Sequence, residues 1–204
     1  MELREALTQI AEIRQQMART EMFRGYRAAP VAFSGVLALA AAGVQVVLIP
    51  QPMEQITAYL ILWFGAAALS LLASGSAMIL RHRYHLSSPL QREITWLAVE
   101  QFLPSLAAGA LLTFVLVIAS PESLWMLPGL WQMLFSLGIF ASYRLLPRPM
   151  LGVALFYLAA GVVALAAARG EAALSPWAMG VPFGIGQLLV AAVLYWSLER
   201  SHES

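Results

Sequence analysis

Residues 93–119 read EITWLAVEQFLPSLAAGALLTFVLVIA, and after Glu93 the only charge in this stretch is Glu100. About 20 successive apolar residues suffice for a helix to cross the hydrocarbon core of a bilayer, so the stretch reads as a membrane span. Its polar marks, Glu100, Gln101 and Pro104, all lie in its first half. An ionisable side chain inside a membrane is costly and marks a functional site by default.

Similar runs lie on both sides. The sequence predicts spans at about 30–49, 56–80, 94–119, 124–146, 150–168 and 176–198, within a membrane domain covering 28–198. A charged segment, 1–27, precedes this domain and a short polar tail, 199–204, follows it. The expected fold is all-α, an integral membrane bundle of six helices. Composition agrees: 60% of the 204 residues are hydrophobic and 11% charged, with a mean hydropathy of +0.74. Soluble domains run at about 45–50% apolar and about 25% charged.

Every basic residue is arginine and every acidic one glutamate; Lys, Asp, Asn and Cys are absent. Without cysteine there are no disulfides, thiolate metal sites or cysteine nucleophiles. Without lysine there is no Schiff base and no phosphate-loop lysine. No Ser-His-acid or zinc-protease pattern occurs. A net charge of +1 gives no nucleic-acid signal. No cofactor is expected, and a binding role is expected ahead of an enzymatic one.

In residues 1–27, Leu3, Leu7, Ile10, Ile13 and Met17 recur at helical spacing among mixed charges. Such an amphipathic helix lies in the membrane interface or docks a partner. Eleven of the twelve arginines fall on one side of the six-span topology: five in 1–27, then Arg81, Arg83, Arg92, Arg144, Arg148 and Arg200. The positive-inside rule therefore puts both termini in the cytoplasm, with the protein in the inner (plasma) membrane. Arg27, Arg81, Arg83, Arg144 and Arg148 are expected at lipid headgroups. The bilayer is the first partner; a second copy or a partner membrane or cytoplasmic protein is the other.

A weak parallel repeat is also readable. A shift of 117 residues aligns Tyr26-Arg27 with Tyr143-Arg144, Pro30 with Pro147 and Gly35-Val36 with Gly152-Val153. A shift of 119 aligns Phe64-Gly65 with Phe183-Gly184. Chance alignment of Ala/Gly/Val-rich spans is the competing explanation.

Several side chains are candidates for function. Glu100 and Gln101 form an ion or ligand site, or Glu100 makes a buried clasp with Arg92, Arg144 or Arg27. Gln45, Gln132 and Gln187 sit in apolar surroundings, where they bridge helices or line a polar cavity at mid-membrane. His82 and His85, with Glu93, have a spacing compatible with a metal, although Arg81 and Arg83 beside them oppose a cation. Gly180-x-x-x-Gly184 permits close helix packing, and Pro182 is expected to break the last span. Ala38-x-x-x-Ala42 is a second small-residue pair. With the size and span count, that pair resembles the substrate-binding membrane subunits of energy-coupling-type vitamin importers. The resemblance implies a small-molecule binding or transport-related subunit with an Ala-rich docking helix; the charged segment 1–27 departs from it. The alternative is a membrane scaffold or sensor docking a partner through 1–27.

Overall fold

In a computed structural model the described residues are 28–83, 89–167 and 172–199. Segment 1–27, with Arg27, falls outside them, as do His85 and the tail from residue 200. The backbone is described at Arg81, His82 and Arg92, but not their side chains.

Six helices follow one another: α1 (Ala28–Leu48), α2 (Ile56–Arg83), α3 (Pro89–Ala119), α4 (Leu127–Ser142), α5 (Met150–Ala167) and α6 (Pro176–Leu194). A 3₁₀ turn, Pro121–Met126, leads into α4, and another, Tyr143–Leu145, follows it. The last span ends in a π turn, Tyr195–Glu199. Each of the six spans is long and apolar enough to cross a membrane, so this is a multi-pass membrane protein.

The helices form a ring in chain order: α1 packs on α2, α3 on α4, α4 on α5 and α5 on α6, while α6 returns to α1. The seam between α2 and α3 is different: these chain neighbours do not pack along their lengths. In lipid there is no hydrophobic force between helices, so the seams depend on close packing and hydrogen bonds. At α1–α6, a Cβ on Gly35 would lie 3.0 Å from the Gly184 carbonyl oxygen, and one on Gly180 would run into the fully buried Ala42. At α4–α5 the approach is reciprocal: Gly129 meets the Gly161 carbonyl and Gly161 meets that of Gly129, at 2.8 and 2.7 Å from the would-be Cβ atoms.

Polar bonds fasten the same seams. Gln45 is fully buried on α1; its Nε2 donates to the Leu174 carbonyl at 2.7 Å, and its Oε1 accepts from Trp63 Nε1 of α2 at 2.8 Å. Ser136 Oγ of α4 donates to the Ala154 carbonyl of α5 at 2.7 Å. Trp131 Nε1 of α4 donates to Thr113 Oγ1 of α3 at 2.9 Å. None of these bonds joins α2 to α3.

The last span departs from expectation at Pro182, because α6 runs unbroken through it. Proline removes the N–H that would serve the carbonyl four residues earlier, here Ala178. Gln132 of α4 supplies the missing donor, its Nε2 lying 2.7 Å from the Ala178 carbonyl oxygen. Pro104 likewise lies inside a continuous α3.

The residues matched by the internal repeat have unlike surroundings. Gly35 and Gly184 are packed against other helices, whereas a Cβ on Gly152 or Gly65 would meet nothing within 4 Å. The remaining matches fall partly on residues outside those described.

The glycine seams make a direct prediction. Gly180→Val forces α1 and α6 apart and costs about 1–3 kcal/mol, the usual range for overpacking. In detergent its melting midpoint should fall clearly below wild type. Gly43→Ala, at a position where nothing lies within 4 Å, should leave it unchanged.

Candidate functional site: a cavity at the open seam

Because α2 and α3 stand apart, the ring encloses a cavity of about 500 Å³. That volume is within the usual range for small-molecule sites, about 300–1,000 Å³. Five helices contribute most of its wall. From α2 come Trp63, Ala66, Ala67, Ser70 and Ser74; from α3, Ala98, Phe102, Ser105 and Gly109. Behind them stand Ser34 and Ala38 of α1, Trp131 and Phe135 of α4, and Met179, Phe183 and Gln187 of α6. Along α6 the wall runs from Met179 to Leu194, about 22 Å at about 1.5 Å per residue.

Among the described residues the wall is apolar and carries no charged side chain. Phe135 is the centre of an aromatic cluster, with ring centroids 5.0 Å from Phe102, 4.8 Å from Tyr157 and 5.6 Å from Phe183. The two tryptophans present hydrocarbon rather than donors, because their indole N–H groups already serve Gln45 and Thr113. Small residues recur on the two flanking helices at near-heptad spacing, Ala67, Ser70 and Ser74 on one and Ala98, Ser105 and Gly109 on the other. In a closed seam such a stripe lets two helices touch; here it leaves room.

The three glutamines have separate fates. Gln45 and Gln132 are both fully buried and hold helices together, and neither is in the cavity wall. The expected polar cavity is therefore an apolar one, in which Gln187 is the only glutamine among the described residues. Behind the wall, the Tyr59 hydroxyl and Gln132 Oε1 are buried without a partner in the protein.

Glu100 and Gln101 lie on the outer surface of α3, exposed, and neither lines the cavity. The clasp expected at Glu100 needs a buried carboxylate, and two of its candidate partners, Arg27 and Arg92, have side chains outside the described residues. Glu93, Arg83, Arg144 and Arg148 are exposed. Arg144 and Arg148 flank Leu145 and Leu146, which line the Arg-rich end of the cavity. The metal reading involves His82 and His85, whose side chains lie outside the described residues; among the described residues no group of three or more His, Asp or Glu gathers. Gly180, Gly184, Ala38 and Ala42 all stand at the α1–α6 seam.

Sequence reasoning missed the aromatic wall of Trp63, Phe102, Trp131, Phe135 and Phe183. The available signal was the recurrence of small residues on α2 and α3, but that pattern is the same for a packed seam and a hollow one.

The pairing of Gln132 with Pro182 is testable as a cycle. Gln132→Leu strands the Ala178 carbonyl and should cost about 1–3 kcal/mol, the usual penalty for a buried unsatisfied group. Pro182→Ala restores the backbone donor, so the double variant should recover most of the loss in thermal or denaturant unfolding.

No protein-family model, no curated protein and no solved structure matches this chain.

Proposed function

We propose that the protein is a membrane-embedded binding subunit that takes an uncharged, elongated apolar molecule sideways from the bilayer through the α2–α3 seam. The observation that carries this reading is the position of the cavity. It is apolar, without a charged side chain among the described residues, and placed where the helix ring stays open. A ligand dissolved in the membrane reaches such a site without crossing water. An aqueous solute would have to lose its hydration against a wall that offers few hydrogen bonds in return.

The arginine distribution supports an inner-membrane orientation with the Arg144 and Arg148 end of the cavity toward the cytoplasm. In that orientation the wall along α6 runs from Met179 toward the outer side to Leu194 at the cytoplasmic end. Binding with later delivery to a partner is the form of transport-related function that this geometry favours. Nothing in the wall favours bond-making chemistry.

The test is fluorescence quenching in lipid nanodiscs, using a dibrominated long-chain alcohol as probe and Trp63 and Trp131 as reporters. Quenching should saturate with probe. It should weaken at least tenfold in Ala98→Phe and Ala67→Phe, which fill the cavity from opposite sides. Quenching that rises in proportion to probe and ignores both substitutions would mean contact with surrounding lipid only, and would rule the site out.

A further inference from the structure

Within the apolar wall, Gln187 is out of keeping with its surroundings. A primary amide offers two N–H donors and two acceptor lone pairs. Tyr157 of α5, fully buried behind α6, sets its phenol against the turn of α6 that carries Gln187: a Cβ on Gly186 would run into the Tyr157 hydroxyl. The same phenol approaches the Phe183 carbonyl at 3.5 Å. This turn of α6 is thus backed by the phenol, while the half-buried Gln187 side chain lines the cavity. The serines of the wall do not share this difficulty. A serine on a helix can turn its hydroxyl back to a carbonyl of its own helix, as Ser34 does to Val31 at 2.7 Å. A glutamine amide has no such retreat, and its unused hydrogen-bonding capacity faces hydrocarbon.

Its height in the bundle is informative. Gln187 lies about midway between Met179 and Leu194, the two ends of the wall on α6, and stands level with Gly35 of α1, whose Cβ would lie 3.2 Å from its own. The aromatic rings of Phe102, Phe135 and Phe183 are in the same wall. An amide beside a cluster of rings, with no charged side chain among the described residues of the wall, suits a flat, neutral group bearing an oxygen acceptor.

We infer that Gln187, positioned by Tyr157, is the specificity-determining residue of the cavity, and that it donates a hydrogen bond to a carbonyl oxygen on the flat head of a neutral, tailed lipophile. The inference rests on the cavity being a binding site, as proposed above. The energetic logic is that of a site built to meet a polar group, which discriminates against an analogue lacking it because the buried partner is then left unpaired.

The experiment compares two probes of nearly the same shape, 2-decyl-1,4-naphthoquinone and 2-decylnaphthalene, which differ in the two carbonyl oxygens. Their affinities are measured on the full chain in nanodiscs by thermophoresis, with Ala98→Phe as the blocked control. Wild type should prefer the quinone by about fivefold to tenfold, the effect of one neutral hydrogen bond. Gln187→Leu should bring the ratio close to one. Tyr157→Phe, which takes away the hydroxyl behind this turn and leaves the amide in place, should lower the ratio by a smaller factor. If both probes bind, Ala98→Phe blocks them, and the ratio in Gln187→Leu equals that of wild type, the role assigned to Gln187 is overturned while the cavity stands. If neither probe binds in a way that Ala98→Phe can block, the cavity reading itself fails.

Discussion

The rest of the bundle depends on how closely α1 can approach α6. Between helices in a bilayer, apolar surface is exchanged for equally apolar lipid, so only tight packing and satisfied polar groups favour contact. Gly35, Gly180 and Gly184 bring backbone against backbone, and any side chain there would meet Gly184, Ala42 or Leu39. That contact joins the first span to the last. It closes the ring on one side and leaves the chain neighbours α2 and α3 to flank an open seam. Only 6% of the α3 window is buried, against 44% of the window containing α4, so α3 faces lipid over most of its surface.

Polar side chains in this bundle are allocated by what the backbone needs. Gln132 repairs the donor that Pro182 removed, so α6 can carry a mid-helix proline without breaking. Gln45 joins α1 to Trp63 and to the segment before α6, near the same end of the bundle. Both are structural for the same reason: an unmet carbonyl or indole N–H in a low-dielectric interior costs more than the bond itself contributes. Gln187 instead lines the cavity, on the turn of α6 that the Tyr157 phenol backs. The difference between the three lies in their neighbours, since their local sequences are alike in hydropathy.

The cavity keeps its shape because its back wall is rigid. Phe102, Phe135, Tyr157 and Phe183 interlock edge to face or tilted, with centroids between 4.8 and 5.6 Å apart. Aromatic pairs of this geometry contribute about 0.5–1.5 kcal/mol each beyond their buried area. The front is made by small side chains on two helices that have few buried contacts of their own. The packed aromatic back and the lightly buried front differ in how many contacts hold them.

The sequence by itself determined the class of fold and the number of apolar helices long enough to span a membrane. Those properties follow from hydropathy, which accumulates along a contiguous stretch and needs no knowledge of neighbours. It also marked Gly180, Gly184, Ala38 and Ala42 as packing residues, because close approach in lipid requires small side chains wherever it occurs. The tertiary structure alone decided the order of the ring, the open seam and the fate of each polar residue. Apolar residues run all round these helices, so no face is distinguished in the sequence as inward or outward. Ser70 and Ser105 read identically whether they touch another helix or border a hollow. Glu100, the most conspicuous residue in the chain, turned out to lie on the outer surface of α3, because the rotation of a helix about its axis is set by what packs against it.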